Sequence, residues 1–280
     1  MNNFEIFKLK KAGLTNLHIN KVLSYQEQCN KKLSLRNIAV VSEHKNPLVF
    51  IENYKNLDIK ACREEFNQFP SFSILDDIYP LELKQIYNPP VLLFYQGDLE
   101  LLAKPKLAVV GSRRSSQTGI QSIQKIIKEL QNRFVIVSGL ARGIDTAAHV
   151  ASLKNGGQTI AVIGTGLDVH YPKENTALQD YISKKHLILS EYPPGSQPLK
   201  YHFPERNRII SGLVSGVVVA EAKQRSGSLI TCERALEEGR EIFAIPGSIL
   251  DGKSDGCHHL IQEGAKCITS GFDILSDYKN

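Results

Sequence analysis

The sequence has no tryptophan, a single methionine and only five cysteines, none of them in a C-x-x-C pair. An odd number of unpaired cysteines argues for a reducing compartment and against a disulfide framework. No apolar run approaches the roughly 18 residues that span a bilayer, and the start of the chain lacks the apolar core of a signal peptide. We therefore expect a cytoplasmic protein that is not inserted in a membrane.

A strong excess of one charge is also lacking. The 280 residues hold 34 lysines and arginines against 29 acidic residues, a net charge of +5. Residues 1–70 hold 11 basic and 7 acidic residues, which leaves a net charge of only +1 for residues 71–280. Bulk charge therefore does not indicate a nucleic-acid binder, and any such function must rest on where individual charges lie.

The first 65 residues are typical of a small helical domain. Phe4 to Leu9 begin an apolar pattern that stops at Gly13, Thr15 or Asn16 can cap a second helix, and Pro47 lies near the start of another. Such a bundle serves either as a docking module or as a structural cap on the next domain, and the pattern does not choose between them. We predict two domains, residues 1–65 and 66–280.

From residue 91 onward, short aliphatic runs alternate with segments of helical periodicity. The predicted strands are Val91–Tyr95, Leu107–Val110, Phe134–Val137, Thr159–Ile163, Leu187–Leu189, Val214–Ala220 and Ile242–Ile245. The predicted helices are Gly119–Leu130, Ile144–Leu153, Asn175–Ser183, Pro204–Leu213 and Leu229–Glu238. This alternation predicts an α/β fold, a doubly wound Rossmann-like parallel sheet that is buried on both faces.

Glycine, serine and basic residues follow four of the predicted strands. The segments are Gly111–Arg114, Ser138–Asp145, Gly164–Asp168 with Tyr171–Lys173 behind it, and Glu221–Ser228. Ligands of open parallel sheets bind beyond the carboxyl ends of the strands, and helix N-termini favour anions. Four such turns, three of them with arginine or lysine nearby, predict a crevice that binds phosphate.

The common nucleotide motifs are missing. G-x-G-x-x-G does not follow the first strand, Gly164-Thr165-Gly166 lacks the third glycine, and no G-x-x-x-x-G-K-[ST] is present. Neither NAD nor ATP is favoured, and we expect no cofactor.

The segment from Leu199 to Arg208 interleaves basic and aromatic side chains. Single-stranded nucleic acid is bound by this mixture, because cations contact the backbone and a ring stacks on a base. The alternative is structural: Phe203 is a core residue, Pro204 starts a helix, and Arg206 and Arg208 pair with acids. The neighbouring crevice favours the binding interpretation.

Catalytic and metal-binding patterns are weaker. The serines and histidines show no triad order, and we predict no catalytic residue. Cys257-His258-His259 with Cys267 matches no standard zinc spacing, so buried thiols and a packing surface are favoured over a metal. Glu221 and Glu233 could act as acid and base, or either could hold the turn around Gly227 or pair with an arginine.

Seven segments, in unbroken order over residues 65–270, resemble the DNA-processing protein A (DprA/Smf) family. They read V-V-G-S-R-R, S-G-L-A-R-G-I-D-x-x-A-H, A-V-I-G-T-G-L-D-x-x-Y-P, L-S-E-Y-P-P-G, F-P-x-R-N-R-I-I-x-G-L, E-A-x-x-x-S-G-S-L-I-T and A-I-P-G. The helical start resembles the sterile-alpha-motif-like domain of some members. Many members carry a further winged-helix domain, and with the chain ending at Asn280 we expect a form without it.

The resemblance implies a protein that binds and protects incoming single-stranded DNA during natural transformation and loads the RecA recombinase onto it. It also implies a homodimer formed through the C-terminal part of the second domain, at residues that include His258, Leu260, Ile261 and Cys267. With the patterns above, the candidate nucleic-acid-binding residues are Gly111, Ser112, Arg113, Arg114, Gly139, Lys173, Lys200, Phe203, Arg206, Asn207, Arg208, Ser226, Gly227 and Ser228.

Two alternatives stay open from the sequence. The sheet and the turn before an acidic helix are similar to those of the lysine-decarboxylase-like nucleotide phosphoribohydrolases. Their P-G-G-x-G-T-x-x-E pattern would correspond to Arg225 to Glu233, where the glycine density is lost. A non-catalytic structural scaffold is the other alternative.

Overall fold

The N-terminal part of the chain is helical in the computed structural model, which describes residues 1–224 and 226–278. The helices are α1 (Asn3–Lys11), α2 (Asn16–Cys29), α3 (Leu35–Val41), α4 (Pro47–Lys55) and α5 (Ile59–Phe66). Thr15 caps α2 by accepting a hydrogen bond from the His18 amide at 3.3 Å, and Pro47 begins α4 as predicted. Helices α3 and α5 are additional to the predicted ones.

The rest of the chain folds around one nine-stranded sheet. The strands are β1 (Ser71–Ser73), β2 (Leu92–Gly97), β3 (Lys106–Gly111), β4 (Val135–Ser138), β5 (Thr159–Ile163), β6 (Leu187–Ser190), β7 (Gly216–Ala220), β8 (Glu241–Ala244) and β9 (Lys266–Cys267). Their order in the sheet is β1-β2-β6-β5-β4-β3-β7-β8-β9. The seven predicted strands are confirmed, and β1 and β9 are additional.

The sheet is mixed, whereas the sequence pattern predicted a parallel sheet. Strands β3 to β9 pair in parallel, whereas β2 runs antiparallel to both β1 and β6. Parallel strands need a crossover of about a dozen residues or more. Only residues 98–105 separate β2 from β3, so the chain turns back and β3 runs opposite to β2.

Helices cover both faces of the sheet, as a doubly wound fold requires. They are α6 (Leu81–Lys84), α7 (Gln117–Glu129), α8 (Ile144–Lys154), α9 (Thr176–Lys185), α10 (His202–Gly212), α11 (Gly227–Glu237), α12 (Asp255–Gln262) and α13 (Gly271–Asp277). Every residue of β4, β5, β6 and β7 is buried, which accounts for their continuous apolar sequences. No helix of the described residues is long and apolar enough to cross a membrane.

The N-terminal helices pack directly against the antiparallel side of the sheet. Phe7 of α1 and Phe66 of α5 contact the Phe94 ring of β2, with ring centroids 6.0 and 6.1 Å apart. Both parts of the chain therefore share one apolar core. This contact agrees with a structural cap on the sheet, while a docking role and the division at residue 65 stay predictions.

Candidate nucleic-acid interface

The predicted turns lie together at the carboxyl ends of the parallel strands. In the sheet, β4, β5 and β6 lie on one side of β3, and β7 lies on its other side. The chain therefore changes direction between β3 and β7, which is the position where ligands of doubly wound folds bind. Gly111 and the turn after β7 flank this point.

Phe203 is the central aromatic residue of this edge. Its ring is half-buried near the start of α10, and the guanidinium carbon of the exposed Arg113 lies 5.2 Å from the ring centroid. The Tyr171 ring lies 5.6 Å from it, centroid to centroid, with 35° between the planes. A cation and two rings are thus grouped at one strand end, the composition that suits a stacked base beside a phosphate.

Glycines at the ends of β4 and β5 allow this close approach. A Cβ at Gly164 would lie 3.3 Å from the Phe203 ring, and one at Gly139 would lie 2.3 Å from the Arg206 guanidinium. Side chains at these positions would displace α10 from the strand ends. We call the surface formed by Arg113, Gly139, Gly164, Tyr171 and Phe203 the carboxyl-edge site.

Basic residues surround the carboxyl-edge site. Lys200 and Lys173 are exposed, as is Arg114, and Lys200 precedes α10 by only two residues. Among the residues that the structure describes, none of these three side chains forms an ion pair within 4 Å. Arg142 is different, because Glu174 holds its guanidinium at 2.6 Å. The free charges are available to an anionic partner.

Arg206 is a predicted DNA contact, but its side chain lies inside the protein. Its side chain is only 4% exposed, and it donates hydrogen bonds to the Gly139 carbonyl at 2.6 Å and to the Val162 carbonyl. Burial lowers the pKa of Arg206 to about 10, while the nearby Asp145 opposes that shift. Arg206 therefore joins α10 to the ends of β4 and β5 from the inside and has no surface to offer to DNA.

Arg208 is also buried, contrary to the prediction. It pairs with Glu191, which follows β6, and donates to the Asn88 carbonyl at 2.5 Å. Asn207 is half-buried and donates to the Gly227 carbonyl at 3.3 Å, which connects α10 to α11. Arg208 shows the structural alternative, pairing with an acid inside the protein, whereas Arg206 is buried against backbone carbonyls.

The turn after β7 has a structural carboxylate at its start. Glu221 accepts hydrogen bonds from the Ser116 amide at 2.6 Å and from the Ser116 hydroxyl, and so stabilises the N-terminus of α7. Ser226 occupies the cap position of α11, but its hydroxyl lies 2.9 Å from that of Ser228 and does not cap the helix. Arg225, which the phosphoribohydrolase alternative requires, lies outside the described residues.

A small cavity at the carboxyl-edge site adds residues that the sequence analysis left out. It has a volume of about 60 Å³. Pockets that enclose small molecules typically measure about 300 Å³ or more, so a shallow contact with an extended ligand fits better than an enclosed nucleotide. Tyr171 is the main addition, and its position between a strand end and Lys173 was the available signal. The cavity is lined by Arg113, Gly139, Leu140, Ala141, Arg142, Ile163, Gly164, Thr165, Tyr171, Pro172, Phe203 and Arg206.

The predicted dimer residues differ in exposure. His258 and Ile261 are half-buried and Cys267 is exposed, but Leu260 is only 6% exposed and packs in the core. Leu260 therefore has little surface for a partner. Cys257 is buried as predicted, whereas Cys267 is not a buried thiol. Within residues 1–224 and 226–278, no three histidine, cysteine or acidic side chains are grouped closely enough to hold a metal ion.

The fold and the site define a Rossmann-like α/β protein with a basic, aromatic ligand edge and a small helical domain packed on its sheet. A family model described as DNA recombination-mediator protein A matches residues 71–279. A second model, the DNA processing protein A sterile alpha motif domain, matches residues 1–62. The chain belongs to the DNA recombination-mediator protein A family.

Individual relatives agree with this assignment. The chain is 65% identical over 279 residues to DNA processing protein DprA of Streptococcus pneumoniae, covering 100% of this chain and 99% of the relative. It is 51% identical over 222 residues to DNA processing protein DprA of Bacillus subtilis, covering 78% and 74% of the two chains.

Two solved structures are similar to this one. The X-ray structure of DNA processing protein A from Streptococcus pneumoniae has a TM-score of 0.98 and 66% identity, over 99% of this chain and 98% of that chain. A structure of DNA processing protein A from Helicobacter pylori, described for its unique single-stranded DNA binding mode, has a TM-score of 0.67 and 30% identity, over 75% and 96% of the chains.

Proposed function

We propose that this protein binds single-stranded DNA at the carboxyl-edge site and acts as a recombination mediator in natural transformation. The observation that carries the proposal is the group formed by Phe203, Tyr171 and Arg113 beyond the carboxyl ends of β3 and β5. A ring with an adjacent guanidinium binds a base and its phosphate without reading sequence. The single-stranded DNA binding mode described for the Helicobacter pylori relative supports the same ligand.

The contact residues fall into two groups. Arg113, Arg114, Lys173 and Lys200 supply exposed positive charge, and Phe203 with Tyr171 supplies the stacking surface. The turns at Gly111, Ser112, Gly139 and Ser226 to Ser228 lie at the same edge. The Gly139 amide already donates to Asp145 and the Ser226 amide to the Lys223 carbonyl, so the amides of Gly227 and Ser228 at the start of α11 are the ones that can donate to phosphate. Arg206 and Arg208 act from inside the protein, because each is 4% exposed.

The protein's role with this DNA is to protect the incoming strand and to load the RecA recombinase onto it in the cytoplasm. Family membership supports this role. No chemical step is assigned to the protein, since binding and transfer of a strand require none. A homodimer formed through Ile261, His258 and Cys267 would place two carboxyl-edge sites on one strand, and a linked pair of sites binds more tightly than either alone.

A salt titration of DNA binding tests the proposal. The full-length protein is compared with the Arg113→Ala/Lys200→Ala variant on oligothymidylate and on duplex DNA. Loss of two charge-assisted hydrogen bonds should weaken single-strand binding about 100-fold. The slope of log K against log salt concentration should flatten by about 1.4, at about 0.7 per phosphate contact.

A matched control removes two exposed positive charges far from the site. The Lys31→Ala/Arg36→Ala variant changes the net charge equally, but both residues lie in the helical domain. It should keep the affinity and the salt slope of the unchanged protein to within about twofold. Equal losses in both variants, or none in a folded Arg113→Ala/Lys200→Ala variant, would show that the carboxyl-edge site is not the DNA-binding site.

A further inference from the structure

A second concentration of positive charge lies at the opposite edge of the sheet. Lys104, Lys106, Arg133 and Arg240 line one cavity of about 520 Å³ near the amino-terminal ends of β3, β4 and β8. We call it the basic cavity. The carboxyl-edge site lies where the same strands end, so the two are separated by the length of the strands.

The lining of the basic cavity holds more positive than negative charge, although Glu238, outside the lining, partly compensates Arg240. Among the described residues, Glu82 is the only acidic residue in its lining, and the Glu82 carboxylate lies 3.8 Å from the Lys106 ammonium. Within the described parts of the chain, Lys104, Arg133 and Arg240 form no ion pair. A cavity with a net charge of +3 is notable in a region, residues 71–280, whose total net charge is +1.

Three of the cations donate hydrogen bonds to neutral acceptors. Lys104 donates to the side-chain carbonyl of Gln158 at 2.9 Å. Lys106, 4% exposed, donates to the Leu102 carbonyl at 2.7 Å and to the Lys104 carbonyl at 3.0 Å. Arg240 donates to the Glu82 carbonyl at 3.1 Å, but its Nε atom is buried and has no partner among the described residues. Carbonyl contacts satisfy donors without cancelling charge, so an anion in the cavity would lower the electrostatic free energy.

The remaining lining fits a phosphate group. Arg133 is exposed and offers a planar fork of donors, for which the described residues supply no hydrogen-bond or ion-pair partner. Ser215 is also in the wall, but its hydroxyl donates to the Lys106 carbonyl at 3.3 Å. Burial lowers the pKa of Lys106, and a nearby anion would offset part of that cost.

We propose that the basic cavity is a second phosphate-binding site, which takes a phosphate group carried either by a free nucleotide or by a nucleic-acid strand. The cavity exceeds the roughly 300 Å³ of a small-ligand pocket, so it has room for more than a bare phosphate ion. The basic cavity contains none of the residues of the carboxyl-edge site. Its phosphate binding can therefore be measured in variants that lack side chains of that site.

The test measures binding of pyrophosphate, at constant ionic strength, to full-length Arg113→Ala/Lys200→Ala protein. This background removes two of the four exposed positive charges at the carboxyl-edge site and leaves Arg114 and Lys173. Adding Arg133→Gln should weaken pyrophosphate binding about tenfold, because one charge-assisted fork is lost. Adding Arg36→Gln, an exposed arginine of α3, should leave it unchanged. Arg133 is exposed, so its replacement should preserve folding, and circular dichroism checks this.

Competition then identifies the source of the phosphate. Displacement of pyrophosphate by oligothymidylate indicates a nucleic-acid strand, whereas displacement by ATP without displacement by oligothymidylate indicates a free nucleotide. Absence of pyrophosphate binding in the Arg113→Ala/Lys200→Ala background, or equal binding with and without Arg133→Gln, would overturn the proposal. Neither result would bear on DNA binding at the carboxyl-edge site.

Discussion

Phe203 combines two roles at the residue scale. Its ring is half-buried against Gly164 and also faces Arg113 and Tyr171, so it is held in place while part of it stays accessible. A fixed ring loses little conformational entropy when a base stacks on it. The packing that holds the Phe203 ring in place therefore favours the stacking of a base on its accessible face.

Replacing Phe203 with leucine should weaken single-stranded DNA binding about tenfold or more, since stacking of one base contributes about 1–3 kcal/mol. Fluorescence anisotropy with labelled oligothymidylate measures the change. Phe272→Leu is the matched control, because Phe272 is 54% exposed on α13, and it should bind normally. Normal affinity of the Phe203→Leu protein for single-stranded DNA would show that no base stacks on this ring.

Arg206 supports the carboxyl-edge site through hydrogen bonds inside the protein and not by contacting DNA. Its guanidinium joins the carbonyls of Gly139 and Val162 near the buried Asp145, whose pKa is raised by burial. Arg206→Met would leave these acceptors unpaired and remove the positive charge beside that carboxyl group. We expect the free energy of unfolding to fall by about 3–5 kcal/mol, measured by urea denaturation.

Arg36→Met is the control for Arg206→Met, because Arg36 is exposed and forms no ion pair among the described residues. Its free energy of unfolding should stay within about 0.5 kcal/mol of the unchanged protein. If the Arg206→Met protein were as stable as the unchanged protein but failed to bind DNA, Arg206 would have to contact the DNA directly.

At the scale of elements, Glu191 connects three helices to the end of β6. Its carboxylate accepts hydrogen bonds from Asn16 of α2 at 2.5 Å and from Lys10 of α1 at 3.3 Å, and it pairs with Arg208 of α10. The same α10 carries Phe203 and Arg206. One buried carboxylate therefore joins the N-terminal helices to the helix that forms the carboxyl-edge site.

The protonation of Glu191 is set by these partners. Burial would raise the pKa of its carboxyl group, but Lys10 and Arg208 outweigh burial and leave the pKa below its ordinary value. A lowered pKa means that the carboxylate stabilises the fold above its unfolded-state pKa of about 4.3. This stabilisation is lost as the pH falls through the lower, folded-state pKa.

Glu191→Gln should lower the free energy of unfolding at pH 7 by about 3–5 kcal/mol, because Lys10 and Arg208 lose their counter-charge. The difference from the unchanged protein should narrow as the pH falls below about 4.3. Urea denaturation at a series of pH values measures both effects. The exposed pair of Lys21 and Glu43 provides the control, since Glu43→Gln should cost less than about 1 kcal/mol. A difference that stayed constant with pH would exclude the ion pairs as its cause.

At the scale of the whole molecule, the sheet has an exposed edge at β9. This strand is two residues long, lies at the end of the strand order and is exposed along its length. A two-residue edge strand offers few backbone groups for pairing, so side chains near it such as the half-buried Ile261 would carry a contact with a second chain. The proposed dimer would cover this edge.

Ile261→Glu/Cys267→Glu should convert a dimer into a monomer, because buried carboxylates at an interface would be unpaired. Sedimentation velocity measures the mass. Tyr87→Glu is the control, because Tyr87 is 85% exposed far along the chain from β9, and its mass should not change. A dimer that persisted in the double variant would place the interface elsewhere on the molecule.

The long elements of the fold could be predicted because their cause is local. Ile160–Ile163 and Val217–Ala220 are continuous apolar runs, and Thr15 and Pro47 mark helix starts, so these patterns indicate burial and capping without tertiary information. Strands β1 and β9 are three and two residues long, too short to carry a periodic pattern. Their pairing depends on neighbours far along the chain.

The site was predictable in its residue types and its location at the strand ends, since a parallel sheet brings those ends to one edge. Which charges face solvent was not predictable. Arg206 and Arg208 read as part of a basic, aromatic run, but their partners Gly139, Val162 and Glu191 are distant in sequence. Local pattern therefore sets strands, helices and turns, whereas only packing across the sheet determines whether an arginine meets a carbonyl inside the protein or an anion outside it.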